Sequence, residues 1–315
     1  MNYAQRYYAR KKAAELGMSL EDYISRKTQT FGTITATPEP VGPISFDKVN
    51  KLNALMIGEE MLTSNKTGLV VDTLYSYEGG IPVGTNIMCT GDPGVGKTTV
   101  LLQHLANLQV YNPNLKCLFI CAEMSKIQMF KYTQRFPLFG NVETLFPTDF
   151  MDYNLKDVME QILGKGYDYV LIDSIVEVLD TVKEDCSMTQ GQAEKWLVDL
   201  CVKQNEAQND RNVHSTMLLI QQVTKMGVFV GSNKLKHITD AHLEMKRESG
   251  RDGGGTYMIF TKNRNGQSGI RFSYQLNNSE IHYGTLVEET EPSVYEIVLP
   301  EEVLEERRQL LAEEE

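Results

Sequence analysis

Residues 91–98 constrain this chain more than any other stretch. They read Gly91, Asp92, Pro93, Gly94, Val95, Gly96, Lys97 and Thr98, a GxxxxGK[ST] pattern, and Thr99 follows. Each fixed position answers to the chemistry of a phosphate chain. Glycines let backbone N–H groups wrap an anion, a lysine supplies a point charge to the β- and γ-phosphates, and the Thr98 hydroxyl can hold Mg²⁺. The surroundings agree: the apolar run NIMCT (86–90) precedes the motif and the helix-patterned TTVLLQHLANLQVY follows it. Strand, phosphate-binding turn and helix are therefore expected, with ATP and Mg²⁺ as ligands. A dinucleotide-binding turn fits less well, because the glycines run G-x-x-G-x-G and nothing in that motif requires Lys97 and Thr98.

The rest of the chain supplies a fold for this turn. CLFICA (117–122), YVLIDSI (169–175) and TMLLIQQ (216–222) are near-continuous apolar runs, as expected of strands buried on both faces. Between them lie SKIQMFKYTQRF, LKDVMEQIL and GQAEKWLVDLCVKQNEAQ, each with helical spacing. The alternation predicts an α/β class: a mainly parallel central sheet flanked by helices. Beyond residue 240, AHLEMKRE, TYMIFTKN and GIRFSYQL are separated by RDGGG and RNGQS, which reads as antiparallel C-terminal hairpins.

Hydrolysis needs more than a phosphate cradle: a carboxylate to anchor the metal and a group to orient water. Asp173 ends an apolar strand, a costly place for a charge, and is the candidate metal anchor; a strand-end cap is the plainer reading. Glu123, just after CLFICA, is the candidate for orienting water, against a plain helix-start role ahead of Ser125. Gln222 could sense the γ-phosphate. Gln221 competes for that task, since adjacent strand residues point to opposite faces.

Composition sets the limits. The 315 residues include 31 Lys and Arg against 42 Asp and Glu, a net charge of −11, which argues against general electrostatic adhesion to nucleic acid or anionic membrane. Residues 287–315 alone hold eleven Glu and two Arg, so the preceding 286 residues are close to neutral and local basic patches can exist. The five cysteines form no CxxC pair or Cys/His array, which fits reduced thiols. No apolar run reaches the ~18 residues of a membrane span, and the charged, aromatic start MNYAQRYYARKK lacks a signal peptide's apolar stretch; a cytoplasmic protein without a membrane partner is expected. Three segments follow. Residues 1–43 read as a basic helical extension, broken near Gly17-Met18-Ser19, with a Pro/Thr-rich linker. Residues 44–286 are the nucleotide-binding core, and residues 287–315 an acidic tail.

The order of P-loop, post-strand Glu123, strand-end Asp173 and strand-end Gln222 resembles the RecA-fold ATPases, and particular stretches resemble their RadA/Sms and DnaB-helicase branch. These are GGIPVGTNIMCTGDPGVGKTT (79–99), CAEMS (121–125), LIDSI (171–175), QVTKMGVFVGSNKLKHITD (222–240) and TKNRNGQSG (261–269). The last is similar to the KNRFG motif of RadA, with Asn265 at its aromatic position. The resemblance covers about residues 66–276. A four-cysteine zinc ribbon, a Lon-like domain and a large helical N-terminal domain, typical of these relatives, have no counterpart in this sequence, so a stripped motor core of phage-like type is expected.

The resemblance implies a nucleotide between subunits, with Lys262 and Arg264 reaching into the neighbour's site as trans-acting fingers. It also implies two loops that meet single-stranded DNA, one near residues 186–192 and one over 224–239 carrying Lys225, Phe229, Lys234, Lys236 and His237. The expected activity is an oligomeric, DNA-stimulated ATPase, a hexameric ring or filament, that translocates on or remodels single-stranded DNA in replication or recombination. A strand-exchange recombinase filament and a KaiC-like regulatory nucleotide-binding protein are the alternatives. The basic N-terminus would dock on an adjacent subunit or touch DNA, and either terminus could recruit replication or recombination proteins.

Overall fold

The computed structural model describes residues 13, 17–21, 63–222, 238–247 and 255–287. The chain divides into two compact units, Met1–Met56 and Ile57–Glu315. Within the first, Gly17 sits at φ 66° and the Met18 N–H donates to the Ala13 carbonyl (3.0 Å), a turn where the sequence predicts the helical pattern to break.

The second unit is built on a nine-stranded sheet. A two-residue strand β1 (Ser64–Asn65), helix α1 (Asp72–Tyr75) and β2 (Ile81–Pro82), paired with β1, lead into β3 (Asn86–Gly91) and α2 (Lys97–Tyr111). Then come β4 (Cys117–Cys121), α3 (Lys126–Arg135), β5 (Glu143–Leu145), α4 (Leu155–Gly164), β6 (Tyr169–Asp173), α5 (Ile175–Cys186), α6 (Gln190–Asn205) and β7 (Thr216–Ile220). Strands β8 (Ala241–Arg247), β9 (Thr256–Asn263), β10 (Arg271–Leu276) and β11 (Ile281–Val287) complete it. The order across the sheet is β11-β10-β9-β8-β3-β7-β6-β4-β5. From β8 to β5 neighbours are parallel; from β8 to β11 they are antiparallel.

The apolar runs are strands because both faces of the parallel half are covered. Ile87, Cys89, Phe119, Leu171 and Leu218 point to α2, which is buried along most of its length. Their neighbours Met88, Leu118, Ile120, Val170, Met217 and Leu219 point the other way, to α4, α5 and α6. Alternate residues thus feed two cores from one sheet. Burial holds the thiols of Cys89, Cys117, Cys121 and Cys201 above their ordinary pKa, Cys121 at about 11.

The structure departs from the sequence expectations in four places. The run YVLIDSI is strand only to Asp173; Ile175 opens α5, a helix the continuous apolar pattern concealed. The loop expected near residues 186–192 is a tight turn between two helices. Cys186 ends α5, Ser187 takes a left-handed φ of 53°, and Thr189 caps α6 in a capping box with Gln192. AHLEMKR does form a hairpin with TYMIFTKN, but its other edge extends the parallel sheet beside β3. The short β5 carries no pattern of its own, with two of its three residues exposed.

Candidate phosphate and metal site

Parallel strands place their carboxyl ends on one edge, and the candidate residues inherit that edge. β3 ends at Gly91, β4 two residues before Glu123, β6 at Asp173 and β7 two residues before Gln222. Gly91 and Gly96 fix the turn between β3 and α2. A Cβ on Gly91 would lie 2.0 Å from the Met245 carbonyl oxygen, so no other residue fits there. Gly96 caps α2 at φ 92°, and a Cβ there would meet the Leu276 side chain at 2.1 Å. The C-terminal strands therefore wall the cradle. Tyr274 donates its hydroxyl to the Val95 carbonyl (2.7 Å), the Asp92 N–H donates to Met245 O (3.2 Å), and Asp92 Oδ2 accepts the Arg247 N–H (3.3 Å). Asp92, Pro93 and Gly94 stay exposed at the rim.

Lys97 folds back on the turn, donating from Nζ to the carbonyls of Gly91 (2.9 Å) and Asp92 (3.1 Å). Thr98 donates its hydroxyl to Asp173 Oδ2. Asp173 is 1% exposed, and its Oδ1 has no hydrogen-bond partner among the described residues. Burial pushes the Asp173 carboxyl up to about 7; the Glu123 carboxylate adds to that push, while the Thr98 hydroxyl and the Lys97 ammonium oppose it. Glu123 is held there by the backbone, since the Asp173 carbonyl accepts the N–H groups of Ala122 (2.7 Å) and Glu123 (3.1 Å). A hydroxyl, a carboxylate and an unsatisfied buried carboxylate oxygen form an all-oxygen donor set, which suits the hard cation Mg²⁺. The residues present thus fit that ion, and the positive Lys97 with the N-terminus of α2 fits a phosphate.

The two glutamines separate as period-2 geometry requires. Gln221 is buried and extends the β7–β3 ladder, its N–H donating to Cys89 O (2.9 Å), whereas Gln222 is half-buried. Lys225, Phe229, Lys234, Lys236 and His237 lie outside the described residues.

Lys262 and Arg264 stand at the opposite edge of the sheet. β9 runs antiparallel to β8, so its end pairs with the start of β8: Ala241 faces Asn263 and also faces Ile87 of β3. Lys262 Nζ donates to the Thr239 carbonyl, and Arg264 Nη1 pairs with Asp240 Oδ1 (3.1 Å). The same Asp240 accepts the Asn86 N–H through Oδ2 (2.9 Å) and the Arg264 N–H through its carbonyl (3.1 Å). The five residue steps of β3 from Asn86 to Gly91 put the two ends about 17 Å apart.

Sequence reasoning missed the residues that hold these groups. Asn263 donates to the carbonyls of Leu74 (2.9 Å) and Tyr75 (3.2 Å), and a Cβ on Gly266 would meet Ser76 Cα and Tyr75 O at 3.1 Å. The Asn and Gly of Lys-Asn-Arg-Asn-Gly thus seat the turn on α1, while the Lys and Arg side chains reach to Thr239 and Asp240 at the start of β8. Asp240 and Tyr274 had no signal: one is an acid at a strand start, the other a tyrosine on an alternating strand.

No family model matches the chain. Curated relatives carry the name DNA repair protein RadA. That of Chlamydia muridarum is 26% identical over 219 residues, 69% of this chain and 42% of the relative. That of Rickettsia bellii is 29% identical over 265 residues, 80% and 55%; that of Streptococcus pneumoniae 24% over 262 residues, 82% and 55%. The chain spans about half the length of these relatives. Among solved structures, a KaiC-like protein from Pyrococcus horikoshii matches at a TM-score of 0.56 and 16% identity, over 71% of this chain and 99% of that one. The chain is thus RadA-like in sequence, with a RecA-type P-loop fold.

Proposed function

We propose that this chain is the ATP-hydrolysing protomer of a head-to-tail assembly acting on single-stranded DNA in repair or recombination. The observation that carries the reading is the split site. The cradle, Asp173 and Glu123 occupy one edge of the sheet, and Lys262 and Arg264 occupy the other, about 17 Å away and beyond the reach of a side chain. Within one chain the two halves cannot meet; in a head-to-tail pair they can.

Thr98 and Asp173 would hold Mg²⁺, which on binding neutralises charge developing on the phosphates. Lys97 exchanges its two carbonyl partners for phosphate oxygens. Glu123 accepts a hydrogen bond from the attacking water and orients it, and Gln222 registers the γ-phosphate. The neighbour's Lys262 and Arg264 stabilise the transition state, a contribution of about 10³ or more in rate for such a finger. DNA as the ligand rests on the RadA relatives' printed name, and ring or filament assembly on the head-to-tail geometry.

The decisive experiment mixes two inactive proteins. Lys97→Ala removes nucleotide binding, and Arg264→Ala removes turnover while sparing binding. Mixed in equal amounts, they should recover activity, because about one interface in four pairs an intact cradle with an intact finger. A mixture that stays dead while both proteins assemble overturns the trans assignment. Turnover unchanged by single-stranded DNA would remove the nucleic-acid role.

A further inference from the structure

Two groups of exposed large apolar side chains lie on the two edges that the proposed split site sets apart. On the carboxyl edge are Ile127, Phe130, Met151 and Tyr153, each between 64% and 71% exposed. Ile127 and Phe130 share the outer side of α3, three residues apart. Met151 and Tyr153 follow the short helical turn Pro147–Phe150, and the Lys126–Asp149 ion pair (2.5 Å) brings that turn against the start of α3. The four side chains make one exposed patch, beginning four residues after Glu123. The internal core does not need them: α3 buries Met129 alone.

The amino edge carries a cavity and exposed apolar side chains of its own. A cavity of about 600 Å³ is lined by Lys66, Leu69, Val70, Thr73, Tyr77 and Gln267, among others. Val70 and Tyr77 are 58% and 76% exposed. The cavity adjoins the finger turn directly, since the Tyr77 N–H donates to Asn265 O (3.0 Å) and Gln267 lies three residues from Arg264.

We propose that the exposed patch of Ile127, Phe130, Met151 and Tyr153 docks into the Val70–Tyr77 cavity of a second copy of this chain. The inference rests on the trans reading above and names the surfaces that deliver it. A second copy is the occupant because one contact satisfies two requirements. It covers both patches, and it carries the neighbour's Arg264 turn to the edge that holds the cradle. A foreign partner would explain only one patch. Each surface offers both signs of charge: the exposed Lys131 and Asp152 adjoin Phe130 and Met151 in sequence, and Lys66 and Glu78 line the cavity. Two unlike surfaces on one chain also make the contact heterologous, so it propagates instead of stopping at a dimer.

The test uses the full chain in two variants, Ile127→Ser with Phe130→Ser, and Val70→Ser with Tyr77→Ser. All four side chains are exposed, so both proteins should keep wild-type circular dichroism and bind a fluorescent ATP analogue in dilute solution. Each alone should need about tenfold or more higher concentration to assemble in sedimentation velocity, as expected when interface anchors are removed. Mixed, they retain one good interface between them and should form dimers that no longer grow, with turnover restored at that interface. Wild-type assembly by either variant overturns the proposal, and so does a mixture that stays monomeric. If the variants assemble normally while the Lys97→Ala and Arg264→Ala proteins complement, the docking surfaces fall and the trans site stands. If wild-type turnover per protomer is independent of concentration, the trans site itself falls.

Discussion

His104 shows how much one buried side chain can settle. It lies inside α2, fully enclosed, between the hydroxyls of Tyr75 (2.8 Å to Nδ1) and Tyr283 (3.0 Å to Nε2). Tyr283 spends its own proton on Gln103 Oε1 (2.8 Å), so His104 must donate from Nε2 and accept the Tyr75 proton at Nδ1. That arrangement admits only the neutral ring, and burial pushes the imidazole down to about 3. The folded form therefore refuses a proton that the unfolded chain takes up near pH 6.5, and stability falls as pH drops from about 6.5 toward 3. Between pH 7.5 and 5 the loss from this group is about 2 kcal/mol. His104→Gln should be less stable than the parent at pH 7.5 yet lose about 2 kcal/mol less over that interval, read from urea midpoints at the two pH values. Equal losses would show that another group sets the acid limb. Neither the partners nor the tautomer could be read from the sequence, where His104 is one polar letter in an apolar helix.

At the scale of elements, what was legible depended on whether a segment's pattern was set by its own neighbours or by distant ones. β3, β4, β6 and β7 announced themselves because two covered faces demand continuous apolar residues. The phosphate turn did so because its ligand dictates residue types. α5 did not, since Ser174 separates two apolar runs without a glycine or proline to mark the change of period. The seat of the Lys262–Arg264 turn was also hidden, because Asp240 and α1, which hold it, lie far away in sequence. β10 is the clearest case of function without a local signature. Its Tyr274 hydroxyl satisfies the buried Val95 carbonyl, so Tyr274→Phe leaves that oxygen unpaired at a cost of about 1–3 kcal/mol. The variant should remain folded and bind ATP about tenfold more weakly in a fluorescence titration. Unchanged affinity would show that the cradle keeps its shape without this wall.

For the whole molecule, the phosphate turn and the Lys262–Arg264 turn sit on opposite edges of one sheet, and the split site proposed above would make assembly part of catalysis. Turnover per protomer should then rise with protein concentration and level off once assembly is complete, and nucleotide binding by dilute protomers should not follow that curve. Proportionality at every dilution would contradict it. The acidic balance of the chain does not oppose DNA binding in such an assembly, because a ring or filament repeats whatever local basic surface each copy presents.

The wall that β10 gives to the phosphate turn has a bearing on how the protein comes into being. During synthesis, residues 91–98 leave the ribosome some 180 positions ahead of Tyr274 and Leu276, and domains form as units behind the exit. A nascent chain already displaying its most recognisable motif would hold a nucleotide more weakly until a tyrosine on a late strand closed the wall.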